Sequence, residues 1–218
     1  MKSVLLVHGA WHGSWCWEIV QNGLIENGVD THSVNLPFTG VEDDISAVRE
    51  AIASIDNEII LLGHSYGGIV ISKAAEDTEK VTQLIYLCAI LLEPGETMQL
   101  DGSKIEIDVD DAFISVVKPQ AIIPAFYADV DSDLAKESLE RLRPFPIVAG
   151  TVGVGEAWRD VPSTYIVCKD DAAIPSNLQY SMARRASRLI EWECAHSPFF
   201  SNPELLIDFL EDLAFPSS

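Results

Sequence analysis

Six short runs, each rich in Val, Ile and Leu, recur along the chain at 3–7, 29–36, 58–62, 81–90, 163–168 and 188–194. They are continuously apolar rather than alternating, the pattern of strands covered on both faces. Between and after them lie helical periodicities at 15–27, 43–55, 66–76, 177–186 and 203–213. Strand alternating with helix predicts βαβ units, and so an α/β fold: a six-stranded, mostly parallel, doubly wound sheet in the order 2-1-3-4-5-6. Ligands of such sheets bind outside the carboxyl ends of the strands, where the strand order reverses.

One stretch breaks the rhythm. From 93 to 160 there is no strong strand, prolines recur at 119, 124, 144 and 146, and acidic residues accumulate around a single helical pattern at 132–142. Its apolar content is too low for a core of its own. It reads as a small helical cap inserted into a core formed by residues 1–92 and 161–218. The 218 residues suit one domain, with 34 Asp and Glu against 14 Lys and Arg and a formal charge of −20. That surface repels phosphate backbones, so nucleic acid is excluded as a partner. The apolar opening stops at His8-Gly9, too short for a secretory core or a membrane span, which implies a cytoplasmic protein. Cys16, Cys88, Cys168 and Cys194 form no CxxC pair and read as core residues.

The chemistry gathers at strand ends. Gly63-His64-Ser65-Tyr66-Gly67 stands between the third apolar run and a helical run, the context of a G-x-S-x-G nucleophile elbow. A serine there sits on a sharp turn, so its neighbours two before and two after must lack side chains. After the first run comes His8-Gly9-Ala10-Trp11-His12-Gly13, a turn able to aim backbone N–H groups at an oxyanion. The expected donors are the N–H groups of Ala10 and Tyr66. The serine needs a base and the base a carboxylate. Of the five histidines, His196 alone follows the last strand at the required edge, since His8 and His12 belong to the first turn, His32 to a strand and His64 to the elbow itself. Asp170 and Asp171 follow the fifth strand, giving the chain order Ser, Asp, His.

These residues resemble the α/β-hydrolase superfamily, in the branch of plant methylesterases, hydroxynitrile lyases and small bacterial esterases. The resemblance rests on VHGAWHGSWCW, GHSYGG, YIVCKDDAAIP and CAHSPFFSNPELL, which together span residues 4–206. It implies Ser65 as nucleophile, His196 as base and Asp171, rather than Asp170, as the orienting acid. Similar lyases carry a threonine at the place of Gly9 and a lysine at that of Ser197. Both are missing here, which implies ester hydrolysis rather than cyanohydrin cleavage.

The expectation is a serine carboxylesterase for small, neutral, largely apolar esters that works through an acyl-enzyme. Gly9, Trp11, Phe38, Phe126 and Tyr127 are candidate substrate contacts, with Ile114 and Val117 as further cap wall. No metal cluster, phosphate loop or flavin fingerprint is present, so no cofactor and no metal are expected. The partner is a small-molecule ester, with no membrane, and the chain is a monomer or homodimer. Other reactions on this scaffold are lactone or C–C hydrolysis and lyase-like cleavage, and a triad-retaining receptor with slow turnover is a further alternative.

Overall fold

The computed structural model describes residues 1–97, 100–147 and 154–215. The main sheet consists of β1 (Ser3–Val7), β2 (Thr31–Val34), β3 (Ile59–His64) and β4 (Val81–Leu87), followed later in the chain by two strands, Ser163–Cys168 and Arg188–Trp192. Every pairing in it is parallel, and its six strands run in the expected order.

The continuous apolar pattern has a direct cause. In β1, Val4 and Leu6 face one layer while Leu5 and Val7 face the other, and all are fully buried. On the Leu5 side lie α2 (Val41–Ser54) and α3 (Gly67–Ala74), through Val48, Ile52, Val70 and Ile71. On the Val4 side lie α1 (Glu18–Glu26), through Val20 and Leu24, and the last helix, Pro203–Ala214, through Leu206 and Leu210. Strand 81–90 of the sequence reading ends at Leu87, because Cys88 takes a positive φ of 37° that closes the extended run.

Between β4 and the strand at Ser163, the chain forms β5 (Ile107–Val109), β6 (Ile114–Val117), α4 (Pro119–Phe126), α5 (Ser132–Leu139) and β7 (Phe145–Pro146). The strands pair antiparallel as a small second sheet in the order β5-β6-β7. The sequence reading held α5 but neither this sheet nor α4. Two to four residues per strand are too few to show alternation. Pro119 and Pro124 disguise α4, although proline suits the first helical turn where Pro119 sits. Ala121, Ile122, Ala125 and Phe126 of α4 join the apolar layer on the Val4 side of the main sheet.

The remaining elements are β8 (Ser163–Cys168), α6 (Ser176–Ala183), β9 (Arg188–Trp192), α7 (Pro198–Ser201) and α8 (Pro203–Ala214). All four cysteines are buried and free. Among the described residues, no helix is long and apolar enough to cross a membrane.

Candidate active site

The elbow is built by exclusion of side chains. Ser65 lies between β3 and α3 at φ 53°, a left-handed conformation costing a non-glycine residue on the order of 1–3 kcal/mol. A Cβ on Gly63 would stand 2.6 Å from the Gly67 carbonyl oxygen, and one on Gly67 would stand 2.7 Å from that of Val7. Strand and helix therefore meet at backbone contact, and the turn between them holds Ser65 out. The Ser65 N–H donates to Leu87 O at 3.3 Å, and its own carbonyl accepts from Ile90 N at 2.9 Å and Gly68 N at 3.1 Å.

His196, in the turn after β9, is almost wholly buried and donates from Nδ1 to Asp171 Oδ2 at 2.7 Å. Asp171 lies in the turn after β8. Its Oδ1 accepts from the N–H groups of Ala173 at 2.7 Å and Ile174 at 2.9 Å, and its Oδ2 accepts from Gln179 Nε2 at 2.8 Å. Asp170 is exposed and points its backbone N–H at Cys194 O instead. The pairing leaves Nε2 as the His196 nitrogen free for chemistry.

Three residues to which the sequence reading gave no such role hold this pair. Gln179 of α6 is fully buried, and besides Asp171 its amide donates to Ile174 O and accepts from Cys168 N. His64 Nε2 donates to the His196 carbonyl at 2.9 Å, its ring 4.5 Å from the His196 ring. Asp129, after α4, accepts the Ala195 N–H at 2.8 Å. Sequence carries no sign of such roles, since each depends on which polar side chain the fold turns inward.

Burial drives the pKa of His64 well below its ordinary value, and in the turn after β1 it holds His8 and His12 neutral, pushing theirs down to about 3 and about 4. His8 Nδ1 donates to Gly9 O at 2.9 Å while its Nε2 accepts from Leu36 N at 3.0 Å. Among the described residues, neither the Ala10 nor the Tyr66 N–H has an acceptor. The Tyr66 hydroxyl donates to buried Asp44 at 2.8 Å, and burial raises the pKa of both groups.

A cavity of about 260 Å³ opens at Ser65, between Ala10 and Tyr66 on one side and the segment that follows β4 on the other. Ala10, Trp11, Ser65 and Tyr66 form its floor, and Ile69, Ile90 and Ile174 add core wall. Leu100, Ile105, Ile107, Ser115, Phe145 and Ile147 come from the inserted segment, and among the described residues no lining side chain is charged. Of the expected contacts, Trp11 lines it. Gly9 instead lies beneath Ser65, where an added Cβ would stand 2.8 Å from Ser65 Cβ. Phe38, Phe126 and Tyr127 are not in the wall of this cavity, nor are Ile114 and Val117. Phe38, Phe126, Tyr127 and Val117 are drawn into apolar layers instead: Phe38 packs on Phe145, and Phe126 on Trp11.

His64, Cys88 and His196 have ligand-type atoms within 4.8 Å of one another. Three of their polar atoms already have partners, His196 Nδ1 with Asp171, His64 Nε2 with His196 O, and Cys88 Sγ with the same carbonyl, which leaves only His196 Nε2 and His64 Nδ1. Burial also pushes the Cys88 thiol up to about 12, against the thiolate a metal requires. The set reads as packing around His196.

A parallel sheet with a strained serine elbow and a buried His–Asp pair at its carboxyl edge defines the class of α/β hydrolases. Comparison with known proteins agrees. The chain is 30% identical to Methylesterase 7 of Arabidopsis thaliana, covering 98% of this chain and 96% of that one. It is 26% identical to Alpha/beta hydrolase nvfD of Aspergillus novofumigatus, covering 97% and 96%. The crystal structure of the methylesterase protein MES16 from Arabidopsis matches with a TM-score of 0.80 at 24% identity, covering 96% and 97%. The sequence model of the alpha/beta hydrolase family matches residues 4–209. The chain belongs to that family, and it is an esterase-type member.

Proposed function

We propose that the protein is a serine carboxylesterase for small, neutral, largely apolar esters. The observation that carries this reading is the buried His196–Asp171 pair, packed against the His64 that precedes a serine held at positive φ, with that serine in the floor of a cavity that has no charged wall among the described residues. Ser65 Oγ attacks the ester carbonyl as His196 Nε2 takes its proton, and Asp171 stabilises the imidazolium that forms. The Ala10 and Tyr66 N–H groups receive the oxyanion, each worth about 3 kcal/mol in the transition state. His196 then protonates the departing alkoxide, and water releases the acid from Ser65 by the reverse sequence. The cavity is near the lower end for ligand sites, and its uncharged wall offers a substrate carboxylate or phosphate no partner. Lyase-like cleavage lacks support at Gly9, where the contact with Ser65 leaves no room for a hydroxyl-bearing side chain.

The test combines a fluorophosphonate label with a panel of short p-nitrophenyl esters, lactones and mandelonitrile. Label on Ser65, turnover of the esters and a loss of about 10⁴-fold or more in Ser65→Ala are expected. Ester turnover that survives Ser65→Ala refutes the assignment, as does cleavage of mandelonitrile in preference to esters.

A further inference from the structure

The loop that carries Ala10 is held by two buried histidines, and one of them is also bonded by the inserted segment. His12 is buried and lines no part of the cavity. Its Nδ1 lies 2.9 Å from Ala10 O, and a carbonyl only accepts, so Nδ1 carries the proton. Burial keeps the ring neutral, so Nε2 is bare and accepts from the Tyr127 hydroxyl at 2.9 Å. Tyr127 follows α4, is itself buried, and is likewise outside the cavity wall. The chain of donors therefore runs from Tyr127 through His12 to the Ala10 carbonyl.

The geometry of the loop gives this chain a consequence. In a trans peptide, C=O and N–H point in opposite directions. His8 holds the Gly9 carbonyl inward, which turns the Ala10 N–H outward. His12 holds the next carbonyl, that of Ala10, so both peptides flanking the Ala10 Cα are pinned. Trp11 follows at φ 59°, a conformation a tryptophan keeps only under external constraint. If His12 moved its proton to Nε2, the bare Nδ1 would face the Ala10 oxygen, lone pair against lone pair, and the peptide would turn away.

We propose that Tyr127 is a positioning residue for the oxyanion hole, acting by fixing the Nδ1–H tautomer of His12. This rests on the esterase reading for its kinetic consequence, but the tautomer itself does not.

The variant Tyr127→Phe removes only the hydroxyl and keeps the ring that packs on Phe200 and Phe126. About a tenfold fall in kcat with KM within twofold is expected, and an equal loss of affinity for a trifluoromethyl ketone that forms an oxyanion on Ser65. Long-range ¹H–¹⁵N spectra of the histidine side chains report His12 as Nδ1–H in the wild type and as a tautomer mixture in Tyr127→Phe. His12→Asn supplies an internal control. Its amide places an N–H donor at the same reach along the side chain with no tautomer to lose, so in that background Tyr127→Phe costs less than twofold. His12→Phe, which has no donor, falls at least as far as Tyr127→Phe. An unchanged kcat in Tyr127→Phe, a change confined to KM, or the same tenfold loss in the His12→Asn background overturns the proposal. If the wild-type protein neither labels nor turns over esters, the esterase reading falls, while the histidine spectra still decide the tautomer: Nε2–H at His12 in the wild type defeats it.

Discussion

Two sets of turns face the same cavity and are held there by different forces. Those at the carboxyl edge of the main sheet are wedged. Gly63 stands against Gly67 and Gly67 against Val7, at separations that admit no Cβ, and the strands beneath are fully buried. The segment between β4 and β8 supplies the other wall with short elements, and polar links join it to each reactive turn. Ser103 Oγ donates to Ala173 O and Lys104 N to Ala172 O, beside Asp171. Asp129 reaches the turn of His196. Arg143 N donates to Trp11 O, and Trp11 Nε1 to Ser115 Oγ, beside Ala10. The core fixes its groups through contact, which is steep in distance. The inserted segment adds single hydrogen bonds, each worth on the order of 1 kcal/mol, to the packing of Phe126 and Phe145 on Trp11.

Acid should expose the core side of this contrast first. Burial lowers the pKa of His8 to about 3 and of His12 to about 4 from the 6.5 they have in an unfolded chain. Between those values the unfolded chain binds protons that the folded one refuses, so stability is complete above about pH 6.5 and falls as the pH drops toward 4 and 3. By pH 5 each histidine has removed about 2 kcal/mol. Urea unfolding followed from pH 7.5 to 5 should show the midpoint falling steeply, and His12→Asn should flatten the slope by about one proton. A flat profile would mean that the loop opens to solvent without unfolding the core.

The wedge predicts an unequal response to the same mutation in the two regions. Gly63→Ala places a methyl against the Gly67 carbonyl and should cost about 3 kcal/mol. The accompanying shift of Ser65 should lower kcat about 100-fold, as a displacement near 1 Å does. Gly95, at φ 90° in the inserted segment, has nothing within 4 Å of its Cβ position. Gly95→Ala should cost only the left-handed penalty of about 1 kcal/mol and leave turnover unchanged. Thermal unfolding and ester kinetics on the pair give the ratio, and equal effects would erase the distinction.

What sequence discloses follows the same division. The six runs, the elbow glycines and the first turn are local patterns whose physical requirement is written in neighbouring residues. Ser65 between Gly63 and Gly67 is legible because the constraint is steric and close in the chain. The second sheet was invisible, because Ile107–Val109 and Ile114–Val117 are short and half exposed. Phe38, Phe126 and Tyr127 look like substrate contacts in sequence because aromatic residues serve pockets and cores alike. Only the three-dimensional layers show that they stand behind the wall. Gln179, Asp129 and His64 are a further kind of silence: their partners lie 8, 66 and 132 positions away, and nothing local marks them.

Asp129 offers the mildest probe of the links between the two regions. Its carboxylate accepts one hydrogen bond, from Ala195 N, at a site open to water, so Asp129→Ala leaves an amide that solvent can reach. The expected loss of stability is about 1 kcal/mol, with no change in the cavity wall and hence none in KM. The turn it releases carries His196, so kcat should fall about threefold, and Asp129→Asn should restore most of it because its amide oxygen still accepts. Measuring kcat and KM for the three proteins on one ester decides the matter. A rise in KM would place Asp129 in substrate binding, and an unchanged kcat would show that His64 and Gln179 hold the His196–Asp171 pair unaided, which would make the core self-sufficient on that side.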